Sequence, residues 1–545
     1  MVVNIPGVIG IVVFYIIIVI IGIWAARKNK KGDTNDLLVA GRSLGMFVAT
    51  LTTAATMVGG AYINGTAESM GRDGFLWTIG PVGYNLSLIL AALIYVPKVR
   101  KAEYTTIFDP IQEKYGNRTG GLLFIPELLG DLFWEAAIFN ALGATVSIIL
   151  GIEMSIAIIV SAVIVIVYTF FGGLYSVAYT DVIQMFFIII GLVMALPFAW
   201  TNPAVDFSRI SNTWQGEMDS NQIGIYIDTC LLTLGGCLTW QIYMQMILHY
   251  IIKAFYQRIL ACKSVTVARN SALLGAGISW LMAIPPAAIG VIGAATDWNM
   301  TSYPQNSTLS YEDWTFILPM VMEYLCPLTV SIIGFGAISA AVMSSADSIV
   351  LATGSVFSRN IYQNCFRPQA SDRELTWVLR FSIVVVGTLG AVIAISANSI
   401  YGLYILCADA MYVVQFPVLT CALWVPFANT YGAISGFVVG TTLRVLGGEP
   451  VLSFPAIIKY PGYNDTLGQL FPFKTFAMMS CTFSLLSISY LTEYMFTKRK
   501  LSKKFDIFNC YGPKSSRCKN DGSDISMTVK TEDDVKNETD TFLNN

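Results

Sequence analysis

The chain has 545 residues, of which 55% are hydrophobic and 12% charged, the latter about half the roughly 25% of a soluble globular protein. With 33 Lys+Arg and 35 Asp+Glu it cannot coat the several soluble domains this length would otherwise allow. The net charge of −2 offers no basic surface for neutralising phosphates, which excludes nucleic acid as a partner.

Runs of about 20 apolar residues, each able to cross a ~30 Å hydrocarbon core, recur along most of the chain. In chain order they predict thirteen spans: 7–26, 44–69, 77–97, 119–150, 153–172, 178–200, 225–253, 267–293, 313–352, 377–397, 402–426, 430–446 and 474–496. The reading is an all-α polytopic membrane protein with a transmembrane domain over 1–496. The first run has no basic residue before it and no small-residue cleavage site, so it reads as a retained span. The segment 497–545 opens with Lys498-Arg499-Lys500, then turns polar and acidic; it cannot bury a core and is expected to be a disordered tail.

Charge orients the spans. Lys and Arg number five in 27–43, five in 98–118, four in 253–269, three in 353–376 and ten from 497 onward. The alternate loops hold only Arg72, Arg209 and Lys459, with Arg444 and Lys474 at span edges. The rich side is cytoplasmic by the positive-inside rule, which puts the N-terminus outside and the tail inside. The sequons at Asn299, Asn306 and Asn464 all fall in outer loops, where N-glycosylation is expected.

A lone histidine, His249, excludes a histidine-rich metal site and most histidine acid–base catalysis. The ten cysteines show no CxxC pair and read as free thiols. No nucleophile–base pair or cofactor motif marks an enzyme.

Polar chemistry inside the spans concentrates in a few places. The second span is interrupted at Val58-Gly59-Gly60 and the seventh at Gly235-Gly236. These lie five spans apart, as two inverted five-helix halves, spans 2–6 and 7–11, would place them, although glycine also serves close helix packing. The ninth span carries Ser344, Ser345, Asp347 and Ser348, hard oxygen ligands of the kind a small cation such as sodium takes. The alternatives are serines bonded back to the preceding turn and an Asp347 salt bridge. Glu127, Asp131 and Glu135 lie at i, i+4 and i+8 in the fourth span, on one helix face. At least one lies deep enough to be protonated or to face a cationic solute or ion, or else Glu127 sits near the inner surface and only two acids are buried. Asp409 carries the same ambiguity. Trp134, Trp240 and Tyr84 lie near these features; aromatic faces select a quaternary ammonium, but such rings are also ordinary core.

Gly60-Ala61-Tyr62-Ile63-Asn64-Gly65, Gly172-Gly173-Leu174-Tyr175-Ser176, Ala340-Ala341-Val342-Met343-Ser344-Ser345-Ala346-Asp347-Ser348 and Gly447-Gly448-Glu449-Pro450 resemble segments of the sodium:solute symporter family, in particular its choline-carrying branch. The resemblance implies a LeuT-type five-plus-five inverted repeat and sodium-coupled, chloride-dependent, high-affinity choline uptake that feeds acetylcholine synthesis. It implies a presynaptic plasma-membrane and synaptic-vesicle location. It places the sodium site on the carbonyls of Ala54, Met57 and Ala341 and the hydroxyls of Ser344 and Ser345, with Asp347 beside it. It places the substrate cage on Trp134 and Trp240, with Tyr84 nearby, and Met57 where the branch has a third tryptophan. The chain departs from the branch in Met57, in Glu127 and Glu135, and in about twelve extra residues, 242–253. These departures leave two other readings: a symporter of another organic cation or betaine-like solute, or a transport-impaired relative.

Overall fold

Backbone groups inside a bilayer have no water to bond to, so the apolar runs must satisfy themselves as helices. In the computed structural model, residues 4–27, 46–95, 98–99, 108–210, 214–240, 265–303, 309–498, 501–508 and 510–511 are described. β structure among them is confined to three isolated bridges. The helices are α1 (Ile5–Arg27), α2 (Met46–Met57), α3 (Gly60–Arg72), α4 (Gly80–Leu90), α5 (Phe108–Tyr115), α6 (Asn117–Leu123), α7 (Ile125–Leu150), α8 (Met154–Trp200), α9 (Ile223–Leu238), α10 (Val265–Leu281), α11 (Ile284–Ala295), α12 (Ile317–Leu325), α13 (Leu328–Val356), α14 (Asp372–Ser396), α15 (Ile400–Trp424), α16 (Thr430–Leu446) and α17 (Phe473–Thr497). Two π-helical turns, Ala91–Tyr95 and Phe357–Phe366, extend α4 and α13. Seven of the described helical segments are long and apolar enough to cross a membrane.

The boundaries differ from the sequence reading where prolines and glycines intervene. The expected ninth span, 313–352, is two helices, because Pro327 starts α13 and the chain is extended at Cys326 and Pro327. The eighth divides at Met282-Ala283, ahead of the Pro285-Pro286 pair that opens α11. The fifth and sixth spans are one helical run, α8, of 47 residues, whose apolar stretches Met154–Val167 and Thr180–Trp200 fall in the two expected spans.

The second span is broken, and the reason is contact. A Cβ on Gly59 would lie 1.8 Å from Ser345 Oγ, and one on Gly60 2.3 Å from Val342 Cγ2. Only glycine lets the α2–α3 junction approach α13 so closely. The seventh span behaves likewise: α9 ends at Leu238, just past Gly236, where a Cβ would meet the Ala408 carbonyl oxygen of α15 at 2.0 Å. Residues 241–264, with the expected insert 242–253 and His249, lie outside the described residues.

Burial locates the centre. The best apolar window of Asn117–Leu150 is 89% buried, against 22% for Phe473–Thr497. Thus α7 is the axis of the bundle, while α17 presents residues such as Phe483 and Met479 outward, where lipid would cover them. The described residues up to Leu491 form one compact unit and those from Thr492 onward a second, in which Phe496 and Tyr511 stack at 5.0 Å. Most of the expected tail, 512–545, lies outside the described residues.

Candidate functional site

The three expected cage aromatics come together from three helical segments. Tyr84 belongs to α4, Trp134 to α7, and Trp240 follows the end of α9. Trp134 and Trp240 meet edge to face at 5.1 Å, Tyr84 stacks on Trp134 at 5.8 Å, and Tyr84 meets Trp240 at 6.3 Å. A fourth ring, Tyr404 of α15, packs edge to face on Trp134 at 5.1 Å and on Tyr84 at 5.7 Å. All four side chains are buried, and among the described residues the Tyr404 hydroxyl has no hydrogen-bond partner. Sequence reasoning missed Tyr404, because a tyrosine in an apolar helix carries no mark that separates cage from core.

Asp131 holds the cage. Its Oδ1 accepts from Trp240 Nε1 at 2.8 Å, and its Oδ2 accepts from the Thr353 hydroxyl of α13. One carboxylate thereby fixes Trp240, which lies beyond the end of α9, to both α7 and α13. The whole acidic stripe is buried: Glu127, Asp131 and Glu135 are each no more than 1% exposed. Glu127 is therefore not a surface residue.

The expected cation site lies at the α2–α3 break. Ala54 and Met57 are buried there, and the Ala54 carbonyl closes the last turn of α2 by accepting from Val58 N–H at 2.8 Å. Ser345 Oγ donates to the Thr56 carbonyl at 3.0 Å, and Ser344 Oγ donates to Asp181 Oδ1 of α8 at 2.6 Å. The backbonding alternative holds for Ser348, which donates to the Ser344 carbonyl at 2.8 Å, but Ser344 and Ser345 reach across to neighbouring elements. Ala341 and Asp347 are fully buried on the same helix, and among the described residues Asp347 Oδ2 has no hydrogen-bond partner. Thr56 and Asp181 were not expected. Asp181 left a signal, since a lone acid in an apolar span is costly unless it serves a site.

Asp409 resolves as structural. It accepts from Arg444 Nε at 2.7 Å, and Lys474 Nζ lies 3.2 Å away, so two cations neutralise it. Towards the same end of the bundle, Glu68 of α3 caps α15. It accepts from Ser399 Oγ at 2.6 Å and from the backbone N–H groups of Ile400 and Tyr401 at 2.9 and 3.2 Å, and pairs with Arg72 at 2.8 Å. Beside this lock lies a cavity of about 620 Å³ lined by Arg72, Trp77, Tyr311, Tyr401 and Lys474, among others. Tyr401 in turn packs edge to face on Tyr404 of the cage at 5.9 Å. Asn299 and Asn464 are exposed, and Asn306 lies outside the described residues.

The arrangement is that of a carrier: a discontinuous helix, hydroxyls and a carboxylate at its break, and an aromatic chamber one ring away from a polar cavity. Comparison with known proteins agrees. The profile of the sodium:solute symporter family matches residues 37–440. The high affinity choline transporter 1 of Homo sapiens is 43% identical, covering 97% of this chain and 92% of its own length. That of Drosophila melanogaster is 45% identical over 93% and 82%, and that of Caenorhabditis elegans 43% identical over 93% and 89%. Among solved structures, a substrate-bound, outward-open sodium-coupled sialic acid symporter superposes with a TM-score of 0.69 at 16% identity, covering 89% of this chain and 97% of that one. A nucleobase-cation-symport-1 family transporter in a closed conformation gives 0.53 at 14% identity, covering 85% and 96%.

The chain belongs to the sodium:solute symporter family. It is a multi-pass membrane transporter with the LeuT-type fold, not an enzyme.

Proposed function

We propose that this chain is a sodium-coupled choline symporter of thirteen spans, built as two inverted five-helix repeats, with its N-terminus outside and its tail in the cytoplasm. The observation that carries the reading is the four-ring chamber of Tyr84, Trp134, Trp240 and Tyr404, held by a buried carboxylate. A quaternary ammonium has no hydrogen to donate, so aromatic faces and negative charge are what can select it. The relatives named for high affinity choline transport support the same substrate.

The rings lie 5.1–6.3 Å apart and fill the space between themselves. A cation binds within about 6 Å of a ring centroid, so two facing rings must part by several ångströms to admit it. Sodium enters at the α2–α3 break, where the carbonyls of Ala54, Met57 and Ala341 and the hydroxyls of Ser344 and Ser345 supply oxygens and Asp347 and Asp181 supply charge. Its binding bridges α2 and α13 and favours the state in which the Glu68–Arg72 lock and the ring pair Tyr401–Tyr404 stand open to the outer cavity. Choline then displaces ring–ring contact with ring–cation contact, and the bundle closes over it and opens inward.

Chloride is required in this reading, and uptake feeds acetylcholine synthesis at a presynaptic membrane and its vesicles, with glycans at Asn299, Asn306 and Asn464. A second reading keeps the mechanism and changes the solute to another organic cation or betaine-like compound. Met57, where the choline-carrying branch has tryptophan, favours it, since one lost cation–π face costs roughly 1–2 kcal/mol.

Radiolabelled choline uptake with and without sodium, by the intact chain and by a version lacking 242–253, tests the proposal. Sodium-dependent uptake by the intact chain supports it and makes the insert tolerated. Uptake only after deletion makes the insert disabling. Uptake by neither, with both at the cell surface, sinks the choline reading.

A further inference from the structure

The carrier mechanism above makes no use of Glu135. It lies one turn beyond Asp131 on α7 and is fully buried, yet among the described residues neither side-chain oxygen has a hydrogen-bond partner. Its neighbours there are apolar: a Cβ at Gly390 of α14 would lie 2.7 Å from Glu135 Cγ and 3.5 Å from the Phe139 ring.

The charged groups of the surrounding helices offer it no partner among the described residues. On α7, Asp131 is within electrostatic range but already serves Trp240 and Thr353. From α13 comes Asp347, itself within range of Asp181 on α8 and of Glu135. From α14 nothing titratable lies between Phe381 and Ser396, and Arg380 sits over the rings of Phe170 and Trp377. From α15, Asp409 is held by Arg444 and Lys474, leaving only the phenols Tyr401, Tyr404 and Tyr412 and the thiols Cys407 and Cys421. From α3, Glu68 is held by Arg72, and Tyr62 donates to the Ser279 carbonyl. From α12, Glu323 accepts from the Asn4 amide, and α1 carries Tyr15 and, at its last residue, Arg27. A buried carboxylate with neither donor nor counter-charge is far costlier than the neutral acid. A metal ion would need several further oxygens, and Gly390 and the Phe139 ring beside Glu135 offer none; a proton needs only one.

We propose that Glu135 is a proton-binding site that competes with the transported cations. It rests on the reading of Ser344, Ser345 and Asp347 as the sodium site. A cation arriving there raises the potential at Glu135, so its O–H bond breaks, the proton passes to water admitted as the bundle opens, and the cation compensates the carboxylate left behind. Linkage makes the effect reciprocal: a proton on Glu135 weakens sodium binding, and acid lowers the sodium affinity.

The test is sodium addition to purified full-length protein in weak buffer containing a pH dye, against an equal addition of N-methylglucamine chloride. Wild type is expected to release protons on sodium addition, and its sodium half-saturation, read by tryptophan fluorescence, to weaken roughly three- to tenfold from about pH 8 to about pH 6. Glu135→Gln and Glu135→Leu, which suit the apolar surroundings, are expected to release none and to hold a constant half-saturation. No release by wild type, or equal release by both variants, overturns the proposal, and the wild-type arm decides even where a variant does not fold. Choline uptake measured in parallel separates the two ideas. Sodium-linked proton release without choline uptake removes only the choline substrate, and uptake without release removes only the proton site.

Discussion

Asp131 gives the sharpest handle on the chamber. It accepts from the Trp240 indole at 2.8 Å and from Thr353, whose hydroxyl also lies 3.0 Å from the Ile349 carbonyl. Asp131→Ala removes both acceptors and leaves the buried Trp240 N–H unpaired, which costs about 1–3 kcal/mol in addition to a charge-assisted bond. At 1.4 kcal/mol per tenfold, the low end of that sum, about 2.5 kcal/mol, already raises the apparent KM for choline about 60-fold. Asp131→Asn is gentler. Its amide oxygen can keep the indole, while its NH₂ turns to a Thr353 hydroxyl that donates to Ile349 instead. Only the charge is lost, about 1 kcal/mol, and KM should rise about fivefold. The assay is sodium-dependent choline uptake at matched surface abundance, with the sodium half-saturation measured alongside. KM within twofold of wild type for both variants, or Asn worse than Ala, refutes the claim that Asp131 positions Trp240.

At the helix break, Ser344→Ala and Asp347→Ala should abolish sodium-dependent uptake with normal surface expression, and retained uptake would rule out the site. Gly59→Ala forces a methyl group into Ser345 Oγ and should have the same effect, shown by a lost sodium response in tryptophan fluorescence. Arg444→Met leaves Asp409 with Lys474 alone, and breaking a buried pair costs about 3–5 kcal/mol; the melting temperature of purified protein should fall clearly, and an unchanged value would make the pair dispensable. Asn299→Gln and Asn464→Gln should each remove one glycan-sized mobility step in a eukaryotic host. A protein without glycans at either position would count against the proposed orientation.

Sequence alone carried the membrane class, because hydrocarbon thickness dictates the length of an apolar run and composition shows it without any fold. It also carried the break in the second span and the serines of the ninth, since glycine pairs and hydroxyls inside apolar runs are visible exceptions. It could not separate partners from bystanders. Asp131, Asp347 and Asp409 look alike as lone acids in apolar spans. The fold gives the first to Trp240 and Thr353, leaves one oxygen of the second without a partner among the described residues, and surrounds the third with Arg444 and Lys474. Nor could it show that Tyr404 packs against Trp134 and Tyr84, or that the lone acid Asp181 meets Ser344, because those contacts exist only where α15 crosses α7 and α8 crosses α13. Helix periodicity reports which residues share a face of one helix. Which face meets which, and so which charge is answered and which is left unanswered, is settled only when the helices pack.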